Sequence, residues 1–455
     1  MGLNIIILAA GEGRRMRSRR PKVLADLAGQ SLIGHVLDRA REFAPERIRV
    51  VVGHGADAVR AALPDTVEAV YQPQQRGTGD AVAHALEGLA ADDLVLVLYG
   101  DVPLVQTATL AALADAAAHA DCALLTVALG DPRGYGRIVR GETGGIERIV
   151  EDHDASAEER AIREINTGLL AMRAGPLAQH VAALDRDNAQ GEYYLTDVIG
   201  RVRASGGRVD GVQPDFAWEV QGVNSRAQLA ALERAWQRHL AERLLGDGAT
   251  LRDPERIDVR GNLTADPDAM IDVGCVFEGV VHLGEGVEIG PHCVIRDSVI
   301  AAGTRVHAHS VIESGDIGRD CEIGPFARMR PGVRLAEGAK LGNFVETKNA
   351  DIGPGSKVNH LAYVGDSDVG RGVNIGAGSI TCNYDGRNKN RTIIEDGAFI
   401  GSDCQLVAPV RVGAGAWIGA GSTITQDAPA GQLTVSRTRQ KSIPGWKHPA
   451  DREGE

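Results

Sequence analysis

Through the second half of the chain, from about Ile271 to Ile424, aliphatic residues return every six positions. Leu406, Val412, Ile418 and Ile424 are each six apart, and Gly401, Gly413 and Gly419 directly follow Ile400, Val412 and Ile418. Hexads of the same kind begin at Val281, Val287, Ile317, Ile323, Leu335, Leu341, Ile352, Val369 and Ile375. A half-buried strand alternates with period two and a helix repeats every 3.6 residues, so a beat of six fits neither alone. It predicts a solenoid whose coil has three flat faces, one hexapeptide to each. The aliphatic residue points inward and Gly or Ala lets the backbone turn the corner. Stacked coils then bury a column that no single coil could bury. A flexible Gly-rich linker would not hold Ile, Val and Leu at fixed intervals.

The first half reads differently. Apolar runs at 4–10, 48–53, 67–71, 94–99 and 122–129 predict strands, and 31–43, 56–63 and 80–90 predict helices between them. Segments 134–140 and 145–152 predict a hairpin carrying Glu151, Asn166 falls in or beside a strand, and a helix follows Glu192. Alternating strands and helices imply an α/β sheet covered on both faces. Ligands of such sheets sit at the carboxyl ends of the strands. Leu229, Leu232, Trp236, Leu240 and Leu244 form one apolar stripe on a long helix over about 225–245. After 426 the hexad is lost, which predicts a short irregular tail to residue 455 holding Arg437, Arg439 and Lys441.

At 455 residues the chain is too long for one ordinary core, so two or three domains are expected. A net charge of -12 argues against broad nucleic-acid binding. Cys122, Cys275, Cys293, Cys321, Cys382 and Cys404 include no CxxC pair, and read as reduced, buried residues of a cytoplasmic protein. The apolar start lacks a basic leader and reads as a first strand rather than a signal peptide. No run approaches the roughly 20 apolar residues of a membrane span.

Candidate chemistry lies where the patterns break. Gly11 to Lys22 is a loop with two glycines, five arginines and a lysine. Such a loop can wrap an anion, although a basic surface turn reads the same way. It is not G-x-G-x-x-G, because Met16 takes the last position, and no G-K-[ST] follows. Asp101 ends the most apolar strand, where a carboxylate could hold a divalent metal that bridges phosphates. It could equally form a turn ahead of Pro103. Asn224 precedes the long helix and could cap it. In the repeats, polar residues cluster around Arg330, Lys348, His360, Tyr363, Asn374 and Asn383, and 385–391 interrupts the hexads. An interruption of a solenoid maps to a loop off one corner, commonly a binding loop. His360 is of the residue type that most often serves as a general base.

Leu8 to Met16, Pro21 to Leu24, Gln72, Gly77-Thr78-Gly79, Tyr99-Gly100-Asp101 and Asn166-Thr167-Gly168 resemble nucleotidyltransferases that activate sugar 1-phosphates. The repeats resemble left-handed β-helix acyltransferases. Joined by a helix, the two resemble a bacterial family that is both glucosamine-1-phosphate N-acetyltransferase and N-acetylglucosamine-1-phosphate uridylyltransferase. The resemblance covers essentially the whole chain. It implies a Rossmann-like nucleotidyltransferase domain over 1–224, a helical linker over 225–248 and a left-handed parallel β-helix with a tail over 249–455.

The resemblance also implies roles. Leu8, Ala9, Ala10, Gly11 and Gly13 would hold UTP through the backbone, with Arg15 and Lys22 on its phosphates. Gln72, Gly77 and Thr78 would read the uracil. Tyr99 and Gly100 would lead to Asp101, which with Asn224 would ligate Mg2+. Gly136, Glu151 and Asn166 would bind the amino sugar. In the acetyl-transfer half His360 would be the base, with Arg330 and Lys348 on the sugar phosphate. Tyr363, Asn374, Asn383 and Tyr384 would position glucosamine 1-phosphate. Ala377, Ser402, Ala420 and Arg437 would line the acetyl-CoA groove, which Asn383 and Tyr384 also border. The family pattern more often has a basic residue and then a small hydroxyl where this chain has Glu12 and Arg14. A homotrimer is implied, with no nucleic-acid or membrane partner. Two alternatives keep the architecture: nucleotidyl transfer to another hexose 1-phosphate, and a non-enzymatic scaffold of the translation-initiation exchange type.

Overall fold

The computed structural model describes residues 2–446. The chain divides into two compact units, Met1–Trp236 and Gln237–Glu455.

The first unit is a sheet between helices. Its elements in chain order are β1 (Leu3–Leu8), α1 (Leu32–Glu42), β2 (Arg47–Val52), α2 (Ala56–Ala62), β3 (Glu68–Tyr71), α3 (Thr78–Leu86), β4 (Leu94–Tyr99) and α4 (Thr107–His119). There follow β5 (Cys122–Ala128), β6 (Arg137–Arg140), β7 (Ile146–Val150), β8 (Glu164–Arg173), α5 (Ala174–Ala182), α6 (Asp197–Ala204), β9 (Val209–Val212) and α7 (Arg226–Gly246). The sheet runs β9-β5-β8-β4-β1-β2-β3, with the antiparallel pair β6–β7 attached to β8. β8 is antiparallel to β4 and β5, whereas β1 is parallel to both β2 and β4. Strand order therefore reverses at β1, between β4 and β2, and leaves a crevice at their carboxyl ends. β1 and β4 are Ile- and Val-rich because both of their faces are covered. Ile5, Ile7 and Leu98 pack into one layer, and Ile6, Val95 and Val97 into the other.

The second unit is a parallel β-helix whose strands form an 11-stranded sheet and a branched 14-stranded sheet. Paired residues on one ladder, Ile289, Val306, Ile323, Leu341, Val358 and Ile375, follow one another at 17 or 18 residues. That is three hexapeptides, less one residue at some corners. These side chains are all buried and form the expected column. The next step, Ile375 to Ile400, takes 25 residues and contains the loop after Asn383. All six cysteines are free thiols, five of them buried and Cys382 half-buried.

Two expectations change. The tail does not lose its structure at 426: Ala428 bridges Val412, and Leu433–Thr434 pairs with Trp417–Ile418. The ladder continues because main-chain bonds do not need the hexad once a preceding coil offers an edge. Residues 447–455 of the predicted tail lie outside the described residues. Asn224 does not cap α7, since the Ser225 hydroxyl accepts from the Gln228 amide. The segment expected as a helical linker, 225–248, falls on α7, and the division between the two units lies within it. Its first half packs Leu232 and Trp236 into the first unit. In its second half the buried Gln237 side chain donates to Val259 O at 2.8 Å and accepts from Val259 N at 2.7 Å. That amide completes a strand edge as a backbone rung would. Among the described residues no helix is long and apolar enough to cross a membrane.

Candidate active sites

The crevice beside β1 opens into a cavity of about 560 Å³. Leu8 to Gly11 leave β1 along its floor. Gly100 N donates to Leu8 O at 2.9 Å, which ties the ends of β1 and β4 together and carries Asp101 to the rim. Val223 N donates to Asp101 O at 2.8 Å and brings Asn224 opposite. Lys22 arrives from the arginine-rich loop. Its ammonium donates to Asp101 Oδ2 at 2.5 Å and to Asn224 Oδ1 at 2.8 Å. Gly13 makes room for it, since a Cβ there would lie 2.7 Å from Lys22 Cβ and its φ is +65°. The structure thus groups Lys22, Asp101 and Asn224, residues up to 202 positions apart.

Asp101 and Asn224 present two hard oxygen donors to one cationic point. That donor set suits Mg2+ when phosphate and water oxygens fill the remaining positions. Among the described residues no cluster of three or more His, Cys, Asp or Glu forms an all-protein cage.

Gln72 is buried, and its NH2 group is engaged by Asp80 Oδ2 at 2.8 Å and by Gly77 O at 3.3 Å. What it can offer a ligand is therefore an acceptor oxygen. Thr78 accepts from Leu195 N at 3.0 Å. Tyr99 lies beside Thr78, and burial, then the charges of Glu151 and Asp101, push its phenol far up, so it stays a donor.

Gly136, Glu151 and Asn166 form a second group. Asn166 N donates to Gly136 O at 2.8 Å, and a Cβ on Gly136 would lie 3.4 Å from Glu151 Oε1. Thr196 donates to Glu151 Oε1 at 2.9 Å. Burial raises the Glu151 carboxyl, helped by Asp197, Asp154 and Asp152 and opposed by Thr196. Asn166 lines a small void shared with Tyr99. Arg15 is exposed on a single turn, Arg14–Met16, and does not line the large cavity. Tyr135, Thr167, Glu192, Gln75 and Gly222 do line it without having been singled out. Thr167 belongs to the Asn166-Thr167-Gly168 motif and Tyr135 to the 134–140 segment, whereas Glu192, Gln75 and Gly222 carried no signal of a site role.

On the β-helix, stacking makes the columns. Asn343 pairs with His360, and their side chains meet at 2.7 Å between His360 Nδ1 and Asn343 Oδ1. Lys357–Val358 pairs with Asn374–Ile375, and that pair with Phe399–Ile400 and then Trp417–Ile418. Counting on from these rungs puts His360, Ala377, Ser402 and Ala420 at one corner of successive coils. Arg437 donates to Ala420 O at 2.7 Å at the end of the column. Asn374 is not at that corner; it lies three residues back, on the flat ladder.

The next face carries a column of charge. Arg260, Glu278, Arg296 and Glu313 are successive rungs and alternate in sign. Arg330 and Lys348 come next, after the paired Met329 and Thr347. There the alternation fails and two cations stand together. Arg330 keeps one partner, Glu346, at 3.0 Å. The neighbouring Lys389, and then Arg330, hold the Lys348 ammonium below its ordinary range. Like charges left side by side favour an anion between them. Tyr363 begins the following strand, and Asn383 Nδ2 lies 3.4 Å from its hydroxyl. Tyr384 is exposed and donates to Gly386 O at 2.6 Å within the loop.

The α/β crevice and the repeat surface together define a nucleotidyltransferase joined to a hexapeptide-repeat transferase. Residues 5–245 match the MobA-like NTP transferase domain, 259–331 the GMPPB C-terminal domain and 391–426 the bacterial transferase hexapeptide, six repeats. Relatives match end to end, each described as "Bifunctional protein GlmU". That of Bordetella parapertussis is 58% identical over 98% of this chain and 99% of its own. Those of Aromatoleum aromaticum and Ralstonia pickettii are 57% and 56% identical over 99% or more of both chains. The chain belongs to the GlmU family of bifunctional acetyltransferase/uridylyltransferases.

Proposed function

We infer that the protein makes UDP-N-acetylglucosamine in two steps. Acetyl-CoA first acetylates glucosamine 1-phosphate, and UTP then transfers uridylate to N-acetylglucosamine 1-phosphate with release of pyrophosphate. One observation carries the reading: a single chain holds both the Lys22–Asp101–Asn224 cluster at a sheet crevice and, on the β-helix, His360 paired with Asn343 and the adjacent cations Arg330 and Lys348.

In the crevice, Leu8 to Gly11 and Gly13 hold the nucleotide by backbone groups, and Gln72, Gly77 and Thr78 read the base. Gly136, Glu151 and Asn166, with Tyr99 and Gly100 beside them, bind the sugar. A phosphate oxygen of the sugar attacks the α-phosphorus of UTP, and the bond to pyrophosphate breaks. Lys22 lowers the cost of the charge that builds on the phosphates, and Arg15, exposed on its turn outside the cavity, has to swing in to join it. Mg2+ held by Asp101 and Asn224 supplies further charge neutralisation when bound.

On the β-helix, His360 takes the proton of the sugar amine as it attacks the thioester carbonyl. Arg330 and Lys348 grip the phosphate, and Tyr363, Asn374, Asn383 and Tyr384 place the sugar. The thiolate leaves along the corner of Ala377, Ser402, Ala420 and Arg437. The domain assignment follows: residues 1–224 for uridylyl transfer, and 249–455 for acetyl transfer, with α7 between. A homotrimer fits an exposed apolar corner where His292, His309, Phe326 and Phe344 stack at 4.9–5.2 Å between ring centres and Leu361 follows.

Two variants test the assignment. His360→Ala should cut thiol release from acetyl-CoA by about 10²–10⁴-fold and leave pyrophosphate release from UTP and N-acetylglucosamine 1-phosphate intact. Asp101→Ala should do the converse. If either variant lowers both signals alike while folded, the two-site reading fails.

A further inference from the structure

Beside the cationic pair lies a carboxylate with no assigned role. In the charge column, Gly365 follows Lys348. The residues after Lys348 and Gly365, Asn349 and Asp366, turn the next corner with φ of 46° and 47°. Asn and Asp tolerate that left-handed conformation, so the corner alone would explain the residue type. It does not explain its contacts. Asp297, at an earlier coil of the same corner, accepts from a backbone amide, Val280 N at 3.0 Å. Asp366 is only 7% exposed and instead accepts from two side-chain amides, Asn349 Nδ2 at 2.5 Å and Asn383 Nδ2.

A carboxylate can only accept hydrogen bonds, so it fixes both amides with their NH2 groups turned towards it. Burial works against its charge, but the two amides and the Lys389 and Lys348 ammonium groups outweigh that and hold its carboxyl low. It therefore stays ionised at neutral pH and keeps the same polarity. Asn383 is thereby oriented in turn. Its NH2 group faces Asp366 and the Tyr363 hydroxyl, and its carbonyl oxygen is left as the group it can offer a ligand. Gly365 allows the arrangement, since a Cβ there would lie 2.3 Å from the Tyr363 hydroxyl.

We propose that Asp366 is a positioning residue of the acetyl-transfer site, acting through Asn383 to present a fixed hydrogen-bond acceptor to the amino sugar. This rests on the acetyl-transfer reading of the β-helix. Asp366→Asn replaces the acceptor by a group that can donate, so the Asn383 amide is free to turn over.

The test is a double-mutant cycle on the full-length protein, using Asp366→Asn, Asn383→Ala and the pair. Thiol release is measured against glucosamine 1-phosphate and against acetyl-CoA, with thermal unfolding of each variant. Losing a hydrogen bond to a charged group predicts that D366N lowers kcat/KM for the sugar about tenfold to a hundredfold. KM for acetyl-CoA should change less than kcat/KM for the sugar, since Asn383 only borders that groove. In the Asn383→Ala background the same change should add less than about twofold, because its effect runs through that side chain. A merely structural role would instead reduce activity equally in both backgrounds and in step with Tm. Additive losses, or D366N activity within twofold of the unaltered protein, would overturn the proposal. If D366N loses its cooperative transition, Asp366→Ser takes its place in the cycle under the same criteria. Absence of thiol release by the unaltered protein would overturn the acetyl-transfer reading itself, and the proposal with it.

Discussion

Single residues carry meaning here chiefly where they interrupt a pattern. Arg330 and Lys348 are ordinary surface cations by type. They stand out because four rungs of alternating sign precede them and the fifth and sixth do not alternate. Exposed ion pairs of that column contribute little each, so breaking the alternation costs little stability, and the proposed role of the two cations is to hold the sugar phosphate. Glu151 interrupts in another way, as a carboxyl pushed up by burial and by nearby carboxylates. Its folded pKa lies above its unfolded one. Its contribution to stability is therefore full below the ordinary glutamate range and is lost as pH rises through the raised value. Glu151→Gln is neutral at every pH. The Tm difference between the glutamine variant and the unaltered protein should shift in favour of glutamine as pH rises above the ordinary glutamate range. Calorimetry of the transition of the first unit reads this, and a difference independent of pH would show that the surroundings do not raise the Glu151 carboxyl.

Elements place these residues, and here sequence and structure can be compared. The insertion after Asn383 lengthens one coil to 25 residues without disturbing the pairing on either side: Thr381 still meets Leu406 and Ile375 still meets Ile400. The loop is organised by its own Asp385, which accepts from Arg387 N at 2.8 Å and Asn388 N at 2.6 Å. Replacing residues 385–390 by a corner of the usual length should leave the unfolding temperature of the β-helix nearly unchanged. It should lower acetyl transfer at least about a hundredfold, by removing Lys389 and misplacing Tyr384. Undiminished thiol release would assign the loop elsewhere. The hexad made the coil legible, because one aliphatic in six is a direct record of which side chains face inward. The α/β order was equally open, since buried strands such as 94–99 leave long apolar runs. The end of the last coil was not legible, because Leu433–Thr434 pairs through its backbone and needs no hexad. The division of α7 was hidden too: Gln237 looks like any surface glutamine until its amide is seen on Val259. Site partners were hidden for a third reason. Asn343 and His360, or Asp366 and Asn383, meet only through the coil period of 17.

As one molecule, the chain joins two chemistries whose substrates form a series. The product of the β-helix site is the sugar phosphate that the α/β crevice consumes. The family relationship rests on end-to-end similarity rather than on either half alone. A net charge of -12 leaves anion binding to local concentrations of cations, and Lys22 and the Arg330–Lys348 pair are the proposed ones. The most direct measurement supplies the full-length protein with glucosamine 1-phosphate, UTP and Mg2+, and follows pyrophosphate before and after acetyl-CoA is added. Two reactions in series predict little pyrophosphate at first, then release that follows free thiol after a lag and is abolished by His360→Ala. Full pyrophosphate release before acetyl-CoA is added, or none afterwards while thiol accumulates, would contradict the account.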